Sequence, residues 1–146
     1  MVKKSICSLF ISIIFFACTD EISYHSRDEI LDNAYEKIGS RDTSTVIEGI
    51  RIIKKYPIHG GTTHLLSLWE KNISITVEKE VLSALHNFEV FRESDTFIKE
   101  VFDKYYNKNT TLDKKNKLIR LLQYTNAENS KDLIKRIAND IKMENN

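Results

Sequence analysis

One apolar pattern occurs three times along the chain, and it constrains the fold more than any other feature of the sequence. Ile50, Ile53 and Tyr56 have apolar counterparts 32 residues later, and these have counterparts a further 36 residues on. The counterparts are Leu82, Leu85 and Phe88, followed by Leu118, Leu121 and Tyr124. A spacing of three residues puts apolar side chains on one face of an α-helix. The same helix is therefore predicted three times.

A second pattern follows the same two offsets. It consists of one hydroxyl residue followed by three apolar residues at helical spacing. It is found at Thr62, Leu65, Leu66 and Trp69, at Ser94, Phe97, Ile98 and Val101, and at Ser130, Leu133, Ile134 and Ile137. A hydroxyl residue ahead of an apolar run is typical of a helix start. Because two different helices share one pair of offsets, the sequence predicts a repeated helix pair.

Helical spacing accounts for most of the chain after residue 25. A capping box, formed by Ser26 with Glu29 three residues later, predicts the start of the first helix, and Gly39 predicts its end. We predict helices at 26–38, 44–56, 62–71, 76–87, 94–106, 112–124 and 130–142. One Pro and four Gly in 146 residues are too few for the turns of an all-β fold. The sequence therefore predicts an all-α fold.

A helix pair that recurs every 32–36 residues is typical of an α-solenoid. Three pairs are predicted, at 44–71, 76–106 and 112–142, with the helix at 26–38 as an N-terminal cap. In helix length, period and apolar spacing this pattern resembles HEAT-like repeats, which implies a short right-handed solenoid. The Asp and Arg that such families often carry are not consistently present. The alternative prediction is a compact bundle of six to seven helices.

The first eighteen residues, MVKKSICSLFISIIFFAC, have the order of a secretory signal. Lys3 and Lys4 are followed by twelve uncharged, mostly apolar residues at 6–17, and then by Cys18. Twelve helical residues rise about 18 Å, which is less than the hydrocarbon core of about 30 Å. A membrane-spanning helix is therefore the weaker interpretation of this segment.

The ending FFAC at 15–18 resembles the lipobox of bacterial lipoproteins, although Leu is usual at its first position and a small residue at its second. The resemblance implies cleavage before Cys18 and lipid attachment to it. Thr19 rather than Asp follows the cysteine, which in enterobacterial lipoproteins favours the outer membrane over the inner membrane. An ordinary cleaved signal peptide and an uncleaved anchor are the alternatives. The implied parts are a signal peptide at 1–17, a lipidated tether at 18–25 and a folded domain at 26–146.

Charge and cysteine usage narrow the class of partner. The 22 Lys and Arg residues nearly balance the 21 Asp and Glu residues, and the formal charge of +1 argues against nucleic-acid binding. Cys7 lies in the predicted signal peptide and Cys18 would carry lipid, so the predicted domain contains no disulfide. We expect no cofactor, and we expect a monomer that its lipid holds on the membrane.

The most site-like stretch is the loop in which His59 and His64 flank two glycines. The glycines would let two imidazoles approach each other, but a metal ion needs at least one further ligand, and the spacing matches no established zinc pattern. We therefore predict an inter-helix loop without a metal. A small metal- or ligand-binding enzyme that uses this loop is the alternative. Since no nucleophile motif such as G-x-S-x-G occurs, we expect a protein that is not an enzyme.

Four aromatic residues are predicted to contact a protein partner, namely Phe91, Phe102, Tyr105 and Tyr106. The first lies in a predicted connection, and the other three crowd one helix end and cannot all face a single core stripe. Trp69 and Phe97 lie on the repeated apolar stripe, so they are predicted to be core. The lysine cluster at 114–117 is expected to be a solvated helix face, with anionic lipid headgroups as an alternative contact.

Together these observations predict a lipid-anchored protein of the bacterial cell envelope that acts as a non-catalytic protein-interaction module. The partner that this implies is an unknown protein, and the membrane is reached through the lipid on Cys18. Besides the small enzyme, a purely structural envelope lipoprotein is the remaining alternative. A scaffold, a surface interaction factor and an immunity protein all fit this class.

Overall fold

The computed structural model describes residues 19–57 and 59–144, with side chains from residue 28 onward. The predicted all-α fold is confirmed for this part of the chain, in which no residue lies in a strand. The predicted signal peptide at 1–17 and the predicted lipid-attachment residue Cys18 lie outside the described residues. The helices are α1 (Thr19–Ile38), α2 (Thr43–Lys55), α3 (Gly61–Glu70), α4 (Ile75–Leu85), α5 (Glu89–Glu93), α6 (Asp95–Tyr105), α7 (Leu112–Leu122) and α8 (Ser130–Glu144).

The six helices predicted after residue 40 are present, and their ends lie within two residues of the predicted ends. Four of these six helices have a side chain that caps the first turn, which explains why their starts could be predicted. Each capping side chain accepts a hydrogen bond from a backbone N–H that has no partner inside the helix. Asp42 caps α2, Ser74 caps α4, Ser94 caps α6 and Thr111 caps α7. The short helix α5 was not predicted, because five residues are too few for a periodic pattern.

The first helix differs from its prediction. It begins at Thr19 rather than at the capping box, so Ser26 is an interior residue of α1. Residues 19–25 of the predicted tether are therefore helical and rise about 10 Å, whereas seven fully extended residues would span about 25 Å. None of the helices in the described ranges is long and apolar enough to cross a membrane.

The buried core follows the repeated apolar pattern. The first two residues of each triplet are at most 2% exposed, and they belong to α2, α4 and α7: Ile50, Ile53, Leu82, Leu85, Leu118 and Leu121. In the second pattern the last position is buried in all three helices, where Trp69, Val101 and Ile137 are at most 5% exposed. All nine residues belong to one hydrophobic cluster. The offsets read from the sequence therefore identify equivalent buried positions.

Helices that are neighbours in the chain also pack against each other. α1 packs on α2, α3 on α4, and α7 on α8, while α2 packs on α4 and α6 packs on α5, α7 and α8. Gly49 makes the approach of α1 to α2 possible, because a Cβ atom at this position would lie 2.7 Å from the carbonyl oxygen of Ala34. Gly60, which precedes α3, has a φ of 96°, a left-handed conformation that glycine adopts without strain.

Candidate functional site

The loop that carries His59 and His64 does not assemble a metal site within the described part of the chain. Both histidines are exposed, and His64 Nδ1 lies 3.1 Å from the carbonyl oxygen of Gly60. The His64 ring stacks on Tyr35 with ring centroids 3.9 Å apart, so this imidazole has a structural contact. Among the residues that the structure describes, no group of three or more His, Cys, Asp or Glu side chains is placed to hold a metal ion.

Two of the four predicted partner contacts are core residues. Phe91 has no exposed surface and Phe102 is 1% exposed, so their prediction as surface contacts is wrong. The physical reason for Phe91 is α5, which turns a predicted connection into a helical turn and directs the ring inward. Phe102 is the member of the crowded aromatic group that faces the core. Trp69, at 3% exposure, is core as predicted, and Phe97 is half-buried against the core.

Tyr106 is half-buried and links α6 to α8. Its hydroxyl donates a short hydrogen bond to Asp140, and Arg136 lies 5.6 Å from its ring centroid. Burial, followed by the hydrogen bond to Asp140, raises the pKa of Tyr106 to about 12. The neighbouring α7 is joined to the same end of α8 by Lys115, whose Nζ lies 2.6 Å from Glu144 Oε1. Tyr106 therefore has a clear role in fixing α8.

Tyr105, the fourth predicted contact, lines a cleft at the junction of α3, α6 and the start of α7. The cleft has a volume of about 380 Å³ and combines aromatic, amide, hydroxyl and charged side chains. We call it the Trp69–Tyr105 cleft, and it is lined by Trp69, Glu70, Lys104, Tyr105, Asn107, Asn109, Thr110, Thr111, Lys114 and Lys117. The rings of Trp69 and Tyr105 meet edge to face with centroids 5.2 Å apart.

Two polar atoms of residues that line the Trp69–Tyr105 cleft are buried and without hydrogen-bond partners in the described structure. They are the indole Nε1 of Trp69 and the hydroxyl oxygen of Tyr105. Leaving a buried polar group unpaired costs about 1–3 kcal/mol, and native proteins seldom tolerate it. Two such atoms on rings in direct contact identify the cleft as the strongest candidate for a binding site.

Lysine side chains cover both rings. Lys117 Nζ lies 5.1 Å from the Trp69 ring centroid, and Lys104 Nζ lies 4.8 Å from the Tyr105 ring centroid. Lys117 Nζ also donates a hydrogen bond of 2.8 Å to the carbonyl oxygen of Lys71, and burial lowers the pKa of Lys117. Interaction with the Tyr105 hydroxyl raises the pKa of Lys104, although its ammonium group falls short of hydrogen-bond geometry with that hydroxyl.

A larger depression, of about 600 Å³, lies between α1 and α2 and is lined in part by Glu48, Arg51 and Tyr56. It is more open to solvent than the Trp69–Tyr105 cleft. None of the described buried atoms without a hydrogen-bond partner belongs to a residue that lines it. It therefore lacks the feature that identifies a binding site.

Sequence reasoning identified Tyr105 but missed the rest of the Trp69–Tyr105 cleft. The lysine cluster at 114–117 was the sequence signal that could have indicated the cleft, because Lys114 and Lys117 line it. Its prediction as one solvated helix face is wrong, since Lys115 has no exposed surface. Comparison with known proteins adds no identity: no family model matches the chain, no curated protein matches it, and no solved structure matches its fold.

Proposed function

We propose that the chain is a bacterial lipoprotein anchored through Cys18, in the outer membrane rather than the inner one. The observation that carries the proposal is the order of residues 1–18, in which two lysines, twelve uncharged residues and a small residue precede the cysteine. A lipidated Cys18 would directly precede α1, which begins at Thr19. The helical domain would then sit within about 10 Å of the lipid.

We infer that the helical domain is a short right-handed solenoid of three helix pairs. Contacts between corresponding helices in serial order support this arrangement. Among the first helices of each pair, Arg51 of α2 donates a hydrogen bond to Glu80 of α4. Arg120 of α7 donates one to Glu78 of α4. The second helices are in contact in the same serial order. The Trp69 ring of α3 packs edge to face on the Tyr105 ring of α6, and the hydroxyl of the next residue, Tyr106, donates a hydrogen bond to Asp140 of α8. Neighbour-to-neighbour contact is typical of solenoids.

The role that follows from this proposal is a non-catalytic interaction module that presents one rigid helical surface at the membrane. The exposed apolar residues Ile75 and Leu112 support a protein partner, because each is the first residue of a helix and is about half exposed. Exposed apolar side chains at the starts of the first helices of two adjacent repeats would form contacts along the array.

Mass spectrometry of the protein purified from the membranes of its own cells tests the anchor. We expect an N-terminal peptide that begins at Cys18 and carries two or three acyl chains. A Cys18→Ala variant provides the control, and it should lose both the acyl mass and the membrane fraction. An unmodified peptide that begins at another residue, or equal membrane retention of the variant, would overturn the proposal.

A further inference from the structure

We propose that the Trp69–Tyr105 cleft is a binding site for a phosphate group, presented either by a small phosphorylated molecule or by a lipid headgroup. The proposal rests on the cleft alone and does not depend on the lipid anchor. Three observations carry it: among the described residues, two buried hydrogen-bond donors have no acceptor and three lysines form no salt bridge, and the cleft is large enough for a ligand.

The unpaired donors indicate what chemistry the ligand must have. The indole N–H of Trp69 can only donate a hydrogen bond, and the Tyr105 hydroxyl donates readily. Since both atoms are buried and lack a partner among the described residues, a ligand that satisfies them must supply acceptor oxygens. Thr110, Thr111, Asn107 and Asn109 add hydroxyl and amide groups around the same space.

The charges favour an anion over a neutral acceptor. Lys104, Lys114 and Lys117 line the cleft, and none of them forms a salt bridge within the described part of the chain. Glu70 is the one acidic residue of the lining, which leaves a formal charge of +2 from three lysines and one glutamate. Lysine binds phosphate as a point charge, and hydrogen bonds to a charged group are about twice as strong as neutral ones.

The number of donors favours phosphate over carboxylate. The donors belong to the end of α3, the end of α6, the loop after it and the start of α7, so they approach the cleft from several directions. A phosphate monoester has three terminal oxygens in a tetrahedral arrangement and a charge near −2, whereas a planar carboxylate has two oxygens and a charge of −1. Phosphate therefore matches both the charge and the spread of the donors.

Trp69 is the single tryptophan of the chain, which makes its fluorescence a reporter of this cleft alone. We expect the emission of the full chain in a neutral detergent to change saturably when glycerol 3-phosphate is added. Glycerol and sodium chloride at matched ionic strength should leave it unchanged. A parallel titration uses short-chain phosphatidic acid, whose headgroup is a phosphate monoester, mixed into the same micelles. Saturation with glycerol 3-phosphate identifies a small phosphorylated ligand, and saturation with the lipid alone identifies a headgroup.

Two variants separate binding from folding. Tyr105→Phe removes a buried hydroxyl whose proton has no acceptor among the described residues, so the thermal midpoint without ligand should change little while the affinity falls about tenfold. Lys104→Gln combined with Lys114→Gln removes two exposed charges and should weaken binding by at least about tenfold. Lys135→Gln, an exposed lysine on α8, is the matched control and should bind like the native chain.

Two results would overturn the proposal. The first is a Trp69 emission that neither glycerol 3-phosphate nor phosphatidic acid changes in a chain whose helical content is intact. The second is a saturable change that both the Tyr105→Phe variant and the double lysine variant retain with native affinity, because the phosphate would then bind elsewhere.

Discussion

Two charged side chains are buried among the described residues, and both join separate helices. Lys115 of α7 meets Glu144 of α8, and Glu78 of α4 meets Arg120 of α7. The Glu78 pair is bidentate, with Arg120 Nε and Nη2 at 2.9 and 3.0 Å from the two carboxylate oxygens. The Glu78 side chain is 5% exposed and the Arg120 side chain is 39% exposed. The free-energy cost of burying the Glu78 carboxylate is therefore offset by its hydrogen bonds to Arg120.

Arg120→Met tests this dependence. We expect the free energy of unfolding to fall by about 1–3 kcal/mol, less than for a fully buried pair because Arg120 is partly solvated. The matched control is Arg51→Met, which removes an exposed partner of Glu80 and should cost less than about 1 kcal/mol. Urea denaturation at neutral pH measures both changes.

The double variant Glu78→Met/Arg120→Met completes the thermodynamic cycle. Its free energy of unfolding should be higher than that of Arg120→Met and recover much of the loss, because the double variant has no buried carboxylate without a partner at this position. If the double variant instead loses the sum of what Glu78→Met and Arg120→Met each lose in free energy of unfolding, the proposed dependence is contradicted.

At the scale of the element, the start of α2 depends on one exposed carboxylate. Asp42 Oδ2 accepts a hydrogen bond of 2.8 Å from the backbone N–H of Thr45 and further bonds from the hydroxyls of Ser44 and Thr45. The hydrogen bond from the Ser44 hydroxyl and those from Thr45 lower the pKa of Asp42 to about 2. Because α1 packs mainly on α2, this cap stabilises the N-terminal part of the described domain.

The lowered pKa predicts a pH dependence of known sign. A carboxyl group whose pKa is lower in the folded chain stabilises it above the unfolded pKa of about 4, and this contribution is lost as the pH falls towards 2. We therefore expect the native chain to lose stability relative to an Asp42→Asn variant between pH 5 and pH 2.5. Urea denaturation of both proteins measures the difference. It should be constant between pH 5 and pH 7, and a constant difference down to pH 2.5 would contradict the prediction.

Local sequence patterns identified most elements but not the start of α1. Helix ends with a capping side chain and a following apolar stripe, such as those of Ser94 and Thr111, were located within a residue. The capping box at Ser26 was misleading, because the same residues fit the interior of a longer helix. A capping motif satisfies backbone groups only where the preceding residues leave the helix, and that depends on the chain before it.

At the scale of the whole molecule, the solenoid and the compact bundle predict different responses to one core cavity. Ile137 of α8 has no exposed surface, so Ile137→Ala should cost about 2–5 kcal/mol. In a solenoid each helix pair contacts only its neighbours, so the loss of stability should affect mainly the helices next to the cavity. Hydrogen exchange should therefore accelerate in α6, α7 and α8, which pack together, while the amides of α2 and α4 keep their protection.

Ile50→Ala in α2 is the matched cavity at the other end of the described helices. It should accelerate exchange in α1, α2 and α4, because α2 packs on both of the others. Equal acceleration throughout the domain in both variants would favour the compact bundle and contradict the solenoid.

The sequence by itself determined the helical class, the places of most helices and the buried stripe, because these depend on spacing within about ten residues and on side-chain hydrophobicity. Only the tertiary structure decided which faces meet. It buries Phe91 and Phe102, separates Lys115 from its neighbours Lys114 and Lys117, and places lysines of α6 and α7 in one cleft with Trp69 of α3. The reason is physical: a helix has several faces, and which one is covered depends on helices far away in the chain.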